Sequence, residues 1–253
     1  MFRRRPPFAA CLGLVLGALG LVGAVPAPAA PPSLALLQSL EAALNDSGSQ
    51  PLSALLEAGP GLDPVQLDRR RRLLREQFPD ARWQVRPGAG VAGGPPTVTV
   101  RVVGSRRQGS RTYRLEAEQQ LQLESNGLRI NGQTILGEQS LLRSGERQLA
   151  VSLLIPDAVL TGQRYDVDVI FDDPLEGALV AGGIAAVTAE QQAAMASPAI
   201  ELGALGGGGL FKTVQAPLSP GSQLWAVLLV HPDGIVSASK RVRVVASRQA
   251  LQP

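Results

Sequence analysis

Apolar positions recur at spacings of three and four near the start of the chain. Leu36, Leu37, Leu40, Ala43 and Leu44 form one stripe of a helix that Ser33 can cap and that runs to about Asn45. Asn45-Asp46-Ser47-Gly48-Ser49 interrupts the pattern. A short second helix is predicted over Pro51–Ala58, ended by Gly59-Pro60-Gly61. Asp63 then stands as an N-cap with Pro64 at the first helical position, and the third helix runs to Phe78 and stops at Pro79. Leu67, Leu74 and Phe78 lie on one side of it.

Beyond Pro79 the period changes to two. Val98, Val100 and Val102 alternate with Thr97, Thr99 and Arg101. Tyr113, Leu115, Ala117, Leu121 and Leu123 share one strand face, with Gln119 the one polar member. Glu116 and Glu118 fall on the opposite face. Asn126-Gly127 is the two-residue signal of a tight hairpin, in which both positions take positive φ. Leu128 to Ile135 and Leu141-Leu142 form the return strand, with a bulge or bend at Asn131-Gly132.

From residue 149 the pattern is one of short strands. Tyr165, Val167, Val169 and Phe171 alternate with Asp166, Asp168 and Asp172. Gly177 to Val187, Ile200 to Leu205 and Leu210 to Val214 are further strands, and Ala189 to Ser197 is a helical loop or an exposed excursion. Leu224 to Val230 and Ile235 to Val245 make a hairpin around His231-Pro232-Asp233-Gly234. The fold class expected is therefore an α+β N-terminal domain, helices followed by a curved antiparallel sheet, joined to an all-β sandwich. The expected bounds are 33–148 and 149–247.

On this element order and the long Tyr113–Glu124/Leu128–Leu142 hairpin, the first domain resembles the cone-shaped α+β fold of the nuclear-transport-factor-like and ketosteroid-isomerase-like superfamily. Members include isomerases, small-ligand binders and interaction domains, so the resemblance sets a fold and no activity. The second domain, with Trp225 as its expected buried tryptophan and a final Pro-Asp-Gly hairpin, resembles an immunoglobulin-like β-sandwich of exported bacterial proteins. The disulfide of antibody domains is absent from it.

Charge changes the picture at the N-terminus. The chain has 24 basic and 21 acidic residues, a net +3. Arg3, Arg4 and Arg5 account for that excess, and no acid precedes Glu41. Phe8 to Val25 is apolar or glycine apart from Cys11, and Ala27-Pro28-Ala29 follows. This is the order of a secretory signal over residues 1–29, cleaved before Ala30. The alternative is an uncleaved anchor, since a span needs about 20 apolar residues. Phe8-Ala9-Ala10-Cys11 lacks the apolar region that should precede a lipoprotein cysteine. The paired arginines lack the flanking residues of twin-arginine export. Cleavage removes Cys11, the only cysteine, and leaves no thiol or disulfide.

Candidate chemistry is sparse. Gly88-Ala89-Gly90-Val91-Ala92-Gly93 matches G-x-G-x-x-G, but Pro95-Pro96 follows where a helix would have to start, so a hairpin loop is expected. Gly206 to Gly209 before Leu210-Phe211-Lys212-Thr213 lacks the glycine that a phosphate loop places before its lysine. His231, the only histidine, is read as an exposed turn residue; a triad with Asp233 in the same turn would be hard to hold. Asp166, Asp168, Asp172, Asp173 and Glu176 are the densest acids and could bind Ca²⁺, but a solvated face is the expected reading. Arg69 to Arg72 with Arg75 cannot share one helix face, and Asp68 can pair with Arg72 at i,i+4.

No buried aspartate or histidine is evident for proton transfer. No catalytic, cofactor or metal residues are assigned, and no cofactor. The expectation is an exported, non-enzymatic binding or scaffolding protein of the cell envelope, periplasmic, lumenal or extracellular. Its partner would be a protein and not nucleic acid, with membrane association only through an uncleaved N-terminal segment. The alternative is a small-ligand binder or isomerase-type enzyme using the cone's cavity, and a third is a Ca²⁺- or glycan-binding sandwich.

Overall fold

A computed structural model describes residues 30–46, 52–88, 95–145, 149–172, 177–205 and 208–251. The expected export signal, residues 1–29, lies outside them. The chain is mostly β with few helices. Its described residues divide into two compact units, one of 30–104 and 117–138, the other of 105–116 and 139–251.

The first unit opens with α1 (Leu34–Asn45), where the Ser33 side chain accepts from Leu36 N. All five residues of the expected stripe are buried. α2 (Pro64–Gln77) follows the Asp63 cap, whose carboxylate accepts from Val65 N and Gln66 N. Satisfying the orphan N–H groups at these two starts explains why both helices begin where they do. Phe78, fully buried, ends α2.

The helix expected over Pro51–Ala58 is not formed. Only a 3-10 turn, Leu52–Ala54, is present. The reason lies in the backbone. Glu57 N donates to Ile130 O at 2.8 Å, and Ile130 N donates to Leu55 O at 2.9 Å. Groups that would close a helix are engaged on a strand instead. Gln133 N donates to Pro60 O, and a Cβ at Gly59 would stand 1.8 Å from Asn131 O. At that approach only glycine fits.

Four strands follow: β1 (Arg82–Pro87), β2 (Val98–Gln108), β3 (Arg111–Ser125) and β4 (Ile130–Ser144). They lie in that order, with β1 at the sheet edge. β1 was not anticipated, although Trp83 and Val85 alternate with Arg82, Gln84 and Arg86 and are the buried pair. The β3 face is as expected, with Gln119 buried among Ala117, Leu121 and Leu123. The turn after β3 differs. Only Gly127 takes positive φ. Asn126 instead accepts from Leu128 N and Arg129 N through its side chain, making a wider loop. The return strand is one unbroken element, with no break at Asn131-Gly132.

The second unit holds β5 (Val151–Leu154), β6 (Ala158–Leu160), β7 (Arg164–Phe171), β8 (Ala181–Val187), β9 (Gly203–Ala204), β10 (Gly209–Gln215), β11 (Gly221–His231) and β12 (Gly234–Val245). One sheet runs β10-β7-β5. In the other, residues 139–144 of β4 pair with β12, and β11, β8 and β9 follow; β6 pairs parallel with β12. The strand expected from Gly177 begins at Ala181, and those expected over 200–205 and 210–214 are Gly203–Ala204 and Gly209–Gln215. The Ala189 segment is a true helical turn, α3 (Ala189–Ala194), with a capping box between Thr188 and Gln191.

The core of this unit takes Val167 and Val169 from β7 and Val227, Leu229, Val236 and Val242 from β11 and β12, each at most 1% exposed. One polar chain is buried with them. Trp225 Nε1 donates to the Tyr165 hydroxyl at 2.9 Å, and that hydroxyl donates to Gln223 Oε1 at 2.7 Å. It joins β7 in one sheet to β11 in the other. Burial pushes the Tyr165 phenol above its ordinary value, against the bond from Trp225. Its stabilising contribution is thus complete below tyrosine's ordinary pKa of about 10 and is lost as pH rises through the higher folded value.

Tyr165→Phe leaves the buried indole N–H without its acceptor and should cost about 1–3 kcal/mol. Denaturant titrations at pH 7 and above pH 10 check both effects. The variant should lack the part of the wild-type alkaline loss that comes from this phenol.

Candidate functional site

The site is built on the sealing of β1. As an edge strand, β1 has backbone groups that face away from β2. α1 supplies their partners. Asn45 Oδ1 accepts from Trp83 N at 3.0 Å, Asn45 Nδ2 donates to Trp83 O at 2.7 Å, and Glu41 Oε2 accepts from Val85 N at 2.7 Å. One helical turn between Glu41 and Asn45 is about 6 Å. Two strand residues span about 6.8 Å. The two repeats nearly match, so one helix face can serve alternate strand residues. Pro87, next in that alternation, has no N–H to satisfy. Arg86 adds an ion pair to Glu41 at 2.8 Å.

The arginine run of α2 works mainly on the far end of α1. Arg71 Nη1 donates to Asp46 O at 2.7 Å and to Ala43 O at 3.4 Å. Arg75 Nη2 donates to Leu44 O at 3.2 Å and to Asn45 O. These are the carbonyls a helix C-terminus leaves open, and cations are favoured there by the dipole. Arg75 also stacks 5.3 Å over the Trp83 ring. Burial, then the neighbouring Arg71 and Arg82, pull its pKa down, with Asp46 opposing. Arg72 points to solvent and pairs with Asp68 at 3.1 Å, as the spacing implied. Arg69 is exposed. Five arginines thus take several directions, and only Arg70 is buried, at 7% exposure.

Between α1, α2 and the sheet lies a cavity of about 60 Å³. A single water needs roughly 10–15 Å³ on this measure, so the space equals about four to six waters. Leu40, Leu44, Leu62, Leu121, Leu123 and Ile130 make most of its wall. Arg70, Arg71, Gln119 and Gln133 also border it, with the Trp83 ring alongside, and the surface they turn to it is apolar. Gln119 and Gln133 are 2% and 7% exposed. Gln133 Nε2 is buried and makes no hydrogen bond within the described chain. A donor left so costs about 1–3 kcal/mol relative to a satisfied one.

Few of the residues singled out in the sequence belong to this site. Gln119 does. Gly88 N donates to Thr97 O where the chain passes from β1 towards β2; Ala89 to Gly93 lie outside the described residues. Lys212 is on β10, 5.4 Å over the Trp225 ring, while Gly206 and Gly207 are not described. Asp166 accepts from Thr213 Oγ1 at 2.7 Å. Asp173 and Glu176 are outside the described residues, and among those described no three acids, histidines or cysteines approach closely enough to hold a metal.

His231 corrects an expectation. Its side chain is 11% exposed, with its ring 6.0 Å from Phe171, and its Nδ1 accepts from Asp233 N. The hairpin folds the ring back onto the sandwich instead of into solvent. One acid is buried that the sequence did not single out: Glu138 is 7% exposed on β4, where alternation with Leu136 and Leu142 places it inward. It does not line the cavity.

A family model described as a domain of unknown function, DUF8623, matches residues 146–245. That stretch is less than half of the chain and covers β5 to β12. No curated protein matches the chain.

Asn45→Ala should strip Trp83 of both edge partners and open the α1–β1 seam, at about 1–3 kcal/mol. Thermal unfolding measures the loss. Faster hydrogen exchange at the Trp83 amide, relative to Val100, locates it.

Proposed function

We propose that this is an exported, non-enzymatic binding protein whose first unit holds a small ligand. Its first unit is read as a nuclear-transport-factor-like cone and its second as an immunoglobulin-like sandwich. Helices laid on one face of the β1–β4 sheet support the first reading. Two facing sheets, with β5 in one and β6 in the other, support the second.

The observation that carries the function is an apolar cavity bordered by leucine side chains and the Trp83 ring. A concave, mostly apolar space is the usual setting of a small-molecule site. The described lining holds no carboxyl or imidazole group able to exchange a proton near neutral pH, which favours binding over isomerase chemistry.

A six-carbon alcohol, 1-hexanol, tests the site. It should change tryptophan emission saturably, with a Kd of roughly 1 mM or tighter. The change should vanish in Trp83→Phe. An unsaturable response, or one that persists in that variant, would overturn the reading.

Export rests on Arg3–Arg5, the apolar run and the small-residue site before Ala30. The placement of Ala30 agrees with it. Ala30 and Ser125 exchange both backbone hydrogen bonds, at 3.2 and 2.8 Å, so the expected first mature residue is already held by β3. Mass spectrometry of the protein recovered from a secreting bacterial host should find Ala30 at the N-terminus. An intact Met1 in the membrane fraction would instead identify an anchor.

A further inference from the structure

We infer that the ligand of this cavity is a compact hydrocarbon of about six carbons that carries no hydrogen-bonding group. The inference rests on the binding function proposed above and deepens it. Three observations carry it.

First, the cavity offers a polar group nothing to bond. Four polar side chains border it, yet the surface they turn to it is apolar. Their donors are directed elsewhere. Arg71 gives its N–H groups to Asp46 O, Ala43 O and the Asp68 carboxylate. Arg70 has an interaction partner of its own. Gln133 Nε2 is enclosed by packing and contributes no surface to the space. A hydroxyl, amine or carboxyl group entering here would leave water without gaining a partner, a loss of about ten-fold in affinity or more. A hydrocarbon gives up no hydrogen bond on entry, so nothing offsets the gain from its burial.

Second, the space is held open by bonds that take no part in binding. Glu41 and Asn45 fix α1 on β1, and Arg71 and Arg75 fix α2 on the end of α1. The cavity therefore precedes its ligand, and binding carries little ordering cost. Water competes poorly for such a space, because a buried water needs about two to four polar partners.

Third, the volume is small and one wall is aromatic. About four to six waters of space suits a ring or short chain of about six heavy atoms, not a sterol or a long acyl chain. The Trp83 ring gives an aromatic ligand an offset or edge-to-face contact.

The experiment sets benzene against pyridine, the same ring with one nitrogen acceptor, on the full mature protein at pH 7, with 1-hexanol as the reference. Calorimetry and tryptophan emission are the readouts. Benzene should bind saturably, with a Kd of roughly 1 mM or tighter, and at least about ten-fold tighter than pyridine. Leu121→Phe adds bulk to the cavity wall and should abolish benzene binding; its circular dichroism and melting curve establish that it is folded. Should that variant not fold, Val100→Leu makes a smaller addition to the same wall and should weaken benzene about ten-fold. If pyridine binds as tightly as benzene, or if benzene binds undiminished to a folded filled variant, the hydrocarbon assignment is overturned. If 1-hexanol binds and benzene does not, the assignment is likewise overturned and the cavity remains a ligand site. If none of the three binds, the function proposed above fails together with it.

Discussion

The helical unit depends on the closing of one strand edge. β1 would otherwise present open N–H and C=O groups, the template from which sheets aggregate. α1 covers it with Glu41 and Asn45 at a spacing that the strand repeats. The seam has its own dependency, because α1 ends with carbonyls that also need donors. Arg71 and Arg75 of α2 provide them. Sheet edge, first helix and second helix are thus fastened in sequence. The cavity is the space these fastenings leave between leucine side chains. Side-chain hydrogen bonds set the separation here, where apolar packing alone would tend to collapse the gap.

A guanidinium and two amides buried around such a gap are costly by comparison with leucine. Gln119 sits on an otherwise apolar strand face, Arg70 on an otherwise apolar helix stripe, and Gln133 where the Gly59-Pro60-Gly61 loop meets β4. They come from three elements, and the surface they turn to the gap is apolar. The second unit treats burial differently: its Trp225–Tyr165–Gln223 chain satisfies itself and serves to tie one sheet to the other.

The helices were legible because two independent signals agreed at each: an apolar stripe and a capping residue. Strand faces were legible where alternation was long, as in β3 and β7. The failures share a cause in long-range pairing. Residues 51–58 have helical composition, but the backbone of Leu55 and Glu57 is claimed by Ile130, far away in sequence. β1 is only six residues long, with two buried side chains, so its signal is short. The width of the loop after β3 follows from the Asn126 side chain bonding to its neighbours, which the Asn-Gly pair alone does not specify. The burial of Arg70 was legible in principle. It keeps the three- and four-residue spacing of Leu67, Leu74 and Phe78, but its membership in a run of arginines made it look like solvated surface.

The chain has two lysines, Lys212 and Lys240, and both are in the sandwich unit. One lies over Trp225, and the other pairs with Asp157 at 3.0 Å. Positive charge in the helical unit is carried by arginine alone. Side-chain amine chemistry is therefore confined to one half of the molecule. A reagent coupled to a lysine side chain would attach through that half, whereas the α-amine of an N-terminus at Ala30, with its lower ordinary pKa, would react on the helical unit. The pH of the coupling reaction would therefore select which half of the molecule is tethered.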